Sequence, residues 1–293
     1  MKSLSILIPT YNYVCASLVS GLQQQAATLG TDYEIIVADD GSTQADTIQA
    51  NHAINQLPHC RYVCRPKNVG RAAIRNFLAS EARHDWLVFI DSDMVVCCAD
   101  FLRQYADCPG HWLVVCGGLS IGGTADRWRG NLRFRYEHAE AHKHTLSQRL
   151  RQPHLDFHTS NFMVRRDIML AHPFDHRARY YGYEDVLFGK QLQLSAIDIH
   201  HIDNPMSFEV FETNADFLAK TEEGLRTLWQ FRHEMRGYSR LLTAASRLPS
   251  GPIRLWHALF GPLERHQLQG RHPSLLLFKL YRLGYFVTLC IKN

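Results

Sequence analysis

The chain lacks most of the signatures that announce a function outright. No run in its 293 residues approaches the roughly 20 consecutive apolar residues of a membrane-spanning helix. No Gly-x-Gly-x-x-Gly follows the first strand-like run. Pro9-Thr-Tyr-Asn12 stands there instead, which argues against a dinucleotide dehydrogenase. The absence of a Walker A loop removes the P-loop kinases and ATPases. Eight cysteines, at 15, 60, 64, 97, 98, 108, 116 and 290, form no paired Cys-x-x-Cys pattern, so a zinc ribbon is not expected. The apolar run Leu4–Ile8 stops at Pro9, too short for a signal peptide. The expectation is a cytoplasmic chain with reduced thiols. Negative charge is scarce toward the C-terminus. Residues 222–293 carry 11 Lys/Arg against 4 Asp/Glu, whereas residues 1–221 carry 21 against 24. That asymmetry predicts a basic segment with its own partner, such as an anionic membrane surface, and nothing points to nucleic acid.

What is present is organised around Trp86-Leu-Val-Phe-Ile-Asp-Ser-Asp-Met94. Leu87–Ile90 is a short apolar run that reads as a buried strand. It ends in Asp91 and Asp93, which alternation places on one side of an extended chain. Two carboxylates that close invite a hard divalent cation, Mg²⁺ or Mn²⁺, shared with substrate phosphates.

The rest of the first half supplies context. Leu4–Ile8, Glu34–Ala38 and Arg61–Cys64 read as further strands, and residues 14–29 and Arg71–Ala79 as helices. Ser42 or Thr43 is a candidate N-cap for the helix after the second strand. Strand–helix alternation at this spacing implies βαβ units and a mostly parallel sheet. Each strand ends in polar residues: Thr10, Tyr11 and Asn12; Asp39 and Asp40; Lys67 and Asn68; Asp91 and Asp93. Their convergence at the carboxyl edge of a sheet suits a nucleotide pocket.

Four blocks together resemble the family 2 inverting glycosyltransferases of GT-A fold. They are Ile8-Pro-Thr-Tyr-Asn12, Val37-Ala-Asp-Asp-Gly-Ser42, Asn68-Val-Gly-Arg-Ala-Ala-Ile-Arg-Asn76 and Phe89-Ile-Asp-Ser-Asp93. The resemblance implies a Rossmann-like, mostly parallel central sheet flanked by helices. It implies a nucleotide site formed by Pro9, Thr10, Tyr11, Asn12, Asp40, Asn68, Arg71, Asp91 and Ser92, with the base between Tyr11 and Asp40 and the ribose near Asp91. Asp93 would hold Mn²⁺ or Mg²⁺, with Asp91 as the second candidate ligand.

Later blocks extend the likeness. Thr159-Ser-Asn-Phe162 looks like the family's Thr-Gly-Asn-Phe strand beside the donor sugar, which points to Asn161; Ser160 departs from the usual glycine. Tyr181-Gly-Tyr-Glu-Asp-Val186 looks like its Glu-Asp motif. There Asp185 would be the general base, Glu184 would help hold the acceptor, and Gly182 and Tyr183 would lie on the donor-sugar and acceptor side. Such enzymes often add a metal ligand, frequently histidine, near Asp203-Asn204-Pro205, where this chain has Ser207-Phe208. Either His200 or His201 substitutes, or the metal has one protein ligand fewer. By contrast, His138 and His142 lie in a polar stretch that reads as a solvated helix, since no third ligand is near.

The expected organisation is a catalytic domain over residues 1–221, with a nucleotide-binding half at 1–118 and an acceptor half at 119–221. A helical, basic extension follows at 222–293. Pro252 and Pro273 divide its later part into short helices, and residues 275–291 suit either an interfacial amphipathic helix or a packed one. The implied activity moves a hexose or N-acetylhexosamine from a nucleotide sugar to a glycan or lipid-linked acceptor, at the inner face of a membrane. A sugar-1-phosphate nucleotidyltransferase, or a sugar-nucleotide-binding protein without catalysis, are the rival readings.

Overall fold

The computed structural model describes residues 2–290. Strands and helices alternate from the start: β1 (Leu4–Thr10), α1 (Ala16–Ala27), β2 (Tyr33–Asp39), α2 (Ala45–Asn51), β3 (Cys60–Cys64), α3 (Arg71–Glu81) and β4 (Trp86–Ile90). Next come β5 (Met94–Val96), α4 (Phe101–Ala106), β6 (Val114–Cys116), β7 (Leu119–Ile121), α5 (Ala125–Trp128), α6 (Leu132–Glu140) and α7 (Leu146–Arg149). The second half holds β8 (Asn161–Arg165), α8 (Arg166–Ala171), α9 (Glu184–Leu194), β9 (Ile199–His201), β10 (Met206–Phe208), α10 (Asn214–Gln230), α11 (Arg240–Arg247), α12 (Ser250–Gln269) and α13 (Leu275–Leu289).

A seven-stranded sheet runs β3-β2-β1-β4-β8-β6-β9. Only β8 opposes its neighbours; every other pair is parallel. Leu4, Ile6, Leu7 and Ile8 on β1, and Leu87–Ile90 on β4, are fully buried. That explains their unbroken apolar runs, because a parallel sheet is covered on both faces. Each such side chain contributes about 1.5–3 kcal/mol on burial. Parallel register pairs Thr10 with Asp39 and Asp39 with Cys64, so the polar strand ends line one edge. A three-stranded sheet, β5-β10-β7, sets Phe208 opposite both Met94 and Ile121.

The chain divides into two compact units. The first takes the residues up to Gly122, then His142–Arg179 and Glu184–Glu209; the second takes Gly123–Ala141, Tyr180–Tyr183 and the residues from Val210. The expected boundary at 221/222 falls inside α10, so the extension begins earlier and recruits α5 and α6. In the second unit, Leu132, Phe217, Leu218, Leu268, Phe278 and Tyr281 form one core. α13 buries Phe278, Tyr281, Phe286 and Val287, which decides for packing in that helix; Ile291, at the end of the stretch named above, lies outside the described residues. Pro252 does not end a helix but sits in the first turn of α12, where its missing N–H costs nothing.

Candidate active site at the carboxyl edge of the sheet

Two loops meet beyond β1 and β2. Asn12 adopts a positive φ of 49°, and its backbone N–H donates to Ser42 Oγ at 2.7 Å. Its side-chain oxygen accepts from the N–H groups of Thr43 (2.8 Å) and Gln44 (3.1 Å). Asn12 therefore fastens the 42–44 loop, and Gln44, not Ser42 or Thr43, stands at the N-cap of α2. Asp39 accepts from the Ser42 N–H (2.7 Å) and from the Tyr62 hydroxyl. Asp40, also buried, accepts from the N–H groups of Val69 and Gly70, each at 2.9 Å. Burial pushes its carboxyl above the ordinary value, against the pull of those two amides. Gly41, at φ +73°, lets the loops touch, since a Cβ there would stand 2.5 Å from the Lys67 carbonyl carbon. Asp40 thus shapes the 67–70 turn, in which Asn68 is exposed, while the Tyr11 ring lies open to solvent, 47% exposed.

The next group is a charge cluster at the end of β4. Arg71 donates from Nε to Glu184 Oε1 at 2.6 Å and from Nη2 to Asp91 Oδ2 at 3.2 Å. Arg75, 1% exposed, donates from Nη2 to Asp91 Oδ1 and lies 3.7 Å from Glu184 Oε1 through Nη1. Both arginines sit on one face of α3, four residues apart. Two carboxylates from β4 and α9 thus share two guanidiniums; Arg75 and Glu184 are buried, and Arg71 closes the cluster from the half-exposed side. Sequence reasoning missed Arg75, although the i, i+4 spacing within the Asn68–Asn76 block was the available signal. Glu184, expected at the acceptor, is buried and ion-paired with both arginines.

α9 is placed by its apolar residues. Phe188 stacks on Phe174 at 4.3 Å, and Phe162, which stacks on Phe89 at 4.9 Å, lies beside both. Gly189 lets the helix approach the His154 carbonyl where no Cβ would fit. Asp185 follows Glu184 in the first turn, its Oδ1 accepting from the Val186 N–H at 2.8 Å. Its Oδ2 lies 3.9 Å from His158 Nδ1, and both side chains keep about a quarter of their surface open. His158 is a second residue the sequence did not flag. Gly182 and Tyr183 precede α9 with positive φ of 87° and 69° and belong to the second unit.

Two further groups of candidates are engaged within the protein. Asn161 is fully buried, and its amide is spent within the protein: it accepts from the Tyr105 hydroxyl (2.7 Å) and donates to the Gly118 and Asn204 carbonyls (2.8 Å each). It braces the ends of three segments. His201 is engaged through both ring nitrogens, Nδ1 with Arg149 at 3.0 Å and Nε2 with the Pro153 carbonyl at 2.9 Å. His200 stacks on Trp112 at 4.5 Å on the outermost strand β9.

Among the described residues, no three His, Cys, Asp or Glu side chains gather as a metal cluster. Asp91 is committed to the two arginines. Asp93 lies two residues further on, close enough to Tyr13 for its charge to reinforce the upward shift that burial gives that phenol. One carboxylate, completed by phosphate oxygens and water, is a donor set that suits Mg²⁺ or Mn²⁺. The residues therefore fit the alternative in which the metal has one protein ligand fewer.

A mixed sheet with a nucleotide-type edge, an acidic strand end and a carboxylate-led helix defines a GT-A-type transferase architecture. The chain belongs to glycosyl transferase family 2, whose model matches residues 5–171. An uncharacterised glycosyltransferase of Haemophilus influenzae is 33% identical over 96 residues, which is 32% of this chain and 37% of the relative. A second from the same organism is 29% identical over 92 residues, 31% of this chain and 29% of the relative. The matches thus span about a third of these relatives' length. Among solved structures, residues 1–349 of S. aureus TarS with UDP superimpose with a TM-score of 0.56 at 17% identity, over 99% of this chain and 90% of that one. The Pyrobaculum calidifontis mannosyltransferase PcManGT, in complex with GDP-Man and Mn²⁺, gives 0.57 at 14% identity, over 99% and 86%. These two likenesses establish the fold.

Proposed function

We propose that the chain is a metal-dependent inverting glycosyltransferase that moves a hexose or N-acetylhexosamine from a UDP-sugar to a glycan or lipid-linked acceptor in surface-polysaccharide synthesis. The observation that carries this is the Arg71 bridge. By joining Glu184 to Asp91, it ties the first turn of α9, with Asp185, to the strand end that bears Asp93. The choice of donor is supported by TarS structures with UDP and with UDP-GlcNAc.

In this mechanism the exposed Tyr11 ring stacks on the base, and the Asp40-shaped turn closes around the nucleotide. Asp93 would hold Mn²⁺ or Mg²⁺, which when bound neutralises charge on the diphosphate. Asp185 takes the proton of the acceptor hydroxyl as that oxygen bonds to the anomeric carbon. The bond from the anomeric carbon to the diphosphate breaks in the same displacement, so configuration inverts without a covalent enzyme intermediate. His158, 3.9 Å from Asp185, orients the base.

The test is a thermal-shift screen of UDP-, GDP- and dTDP-sugars with Mn²⁺ or Mg²⁺, followed by assay of nucleotide release. Binding to the folded state raises the melting temperature. The expected result is a shift with UDP-sugars and slow UDP release; no shift with any donor would overturn the proposal.

A further inference from the structure

α12 is inside out. Leu255, Trp256, Leu259, Phe260 and Leu263 are all between 38% and 65% exposed. At 100° per residue they fill an arc of roughly 140°. The residues that α12 buries, Gly261, Glu264 and Leu268, lie on the opposite side. The inner face includes a carboxylate, held 2.8 Å from the Trp256 indole N–H, while the outer face is leucine and aromatic. Ordinary surface helices place charge outward, so a contiguous apolar face of this kind marks an interaction surface.

The surrounding charge selects the partner. Residues 235–290 contain eight Lys/Arg and one Asp/Glu. That single acid is Glu264, which is buried. Arg236, Arg240, Arg247, Arg254, Arg271 and Lys279 are exposed. Among these described residues the surface presents apolar side chains and cations with no exposed carboxylate to oppose them. No described helix is long and apolar enough to cross a membrane. An apolar helix face with Trp, Phe and Leu, in a segment rich in cations, is the pattern that lies in a lipid interface, and nearby Lys/Arg add attraction to anionic headgroups. We infer that α12 seats its Leu255–Leu263 face in the interface of an anionic lipid bilayer, with exposed arginines of residues 235–290 supplying attraction to headgroup phosphates.

The full-length chain should float with vesicles of phosphatidylglycerol and phosphatidylcholine at low salt, bind less as salt screens the arginines, and bind vesicles of phosphatidylcholine alone more weakly. Leu255→Glu/Leu259→Glu should lower vesicle affinity by about tenfold or more, because apolar contact area is lost and two negative charges face the headgroups. Both residues are exposed, so an unchanged circular-dichroism melt is expected in the variant. As an independent readout, brominated lipid should quench part of the wild-type tryptophan fluorescence, and that part should vanish in Trp256→Phe. Failure to float at low salt, or equal flotation of the double variant, overturns the inference. A dimer in sedimentation velocity that Leu255→Glu/Leu259→Glu dissociates, without vesicle binding, assigns the face to a second copy and overturns it too. Vesicle binding through α12 needs no sugar transfer, so this result and the donor screen fail separately.

Discussion

Arg71 reaches Glu184 across 113 residues of sequence, Nε to Oε1 at 2.6 Å. The contact fixes where α9 begins and therefore where Asp185 stands.

The buried member of this cluster is Arg75. Arg75→Met would leave Asp91 and Glu184 with Arg71 as their remaining cation. Breaking a buried ion pair typically costs about 3–5 kcal/mol. Urea denaturation at neutral pH should show a loss of that size, with nucleotide release reduced because Asp91 moves. Wild-type stability in Arg75→Met would mean the cluster does not hold the site.

Asp40 offers a second test. Its carboxylate satisfies the Val69 and Gly70 amides, and Asp40→Ala strands both. The expected loss is about 1–3 kcal/mol of stability from unsatisfied buried donors. UDP affinity should fall with it, because the 67–70 turn that Asp40 shapes loses its fastening. Calorimetric titration with UDP and a urea curve measure the two; unchanged UDP affinity would move the base elsewhere.

Acid sensitivity follows from two histidines. Burial lowers the His144 imidazole to about 4 and that of His201 to about 4, with Arg149 adding to the effect in both. Unfolded, each titrates near about 6.5. Between those values the unfolded chain binds more protons, so stability is full above about pH 6.5 and falls as pH drops toward about 4. Denaturation curves at several pH values should show this slope, and His144→Asn/His201→Asn should flatten it. An identical slope in the double variant would contradict the lowered values of both imidazoles.

Much of the polar edge of the sheet was legible because strand ends carry it in short, contiguous blocks: Thr10-Tyr-Asn12, Asp39-Asp40, Asp91-Ser-Asp93. What stayed hidden depends on partners far away in sequence. Nothing adjacent to Asn161 reveals that its amide will meet the Gly118 and Asn204 carbonyls. Arg75 looks like any helix-surface charge until Asp91 and Glu184 are beside it. The strands β5, β7 and β10 are three residues long, too short for a periodicity signal. In the C-terminal helices, residues 275–291 are the apolar stretch of the sequence, and α13, which they form in large part, packs. His257, Pro262 and Glu264 interrupted the pattern of α12, whose outward face is the apolar one.

Metal dependence should run through Asp93. Asp93→Ala should abolish the Mn²⁺-dependent part of UDP binding while the melting curve stays cooperative. Chelation with EDTA should reduce wild-type UDP affinity to the variant's level. Calorimetry that finds equal UDP affinity with Mn²⁺ and with EDTA would remove the ion from the account.

The central claim is that Asp185 is the base of a sugar transfer. The direct measurement is UDP release from the best donor of the screen by Asp185→Asn beside wild type, with binding measured in parallel. The substitution keeps shape and removes the proton acceptor. General-base catalysis typically contributes about 10²–10⁴-fold, so turnover should fall by that factor with donor affinity nearly unchanged. Wild-type turnover in Asp185→Asn would contradict the account and send the search for the base elsewhere.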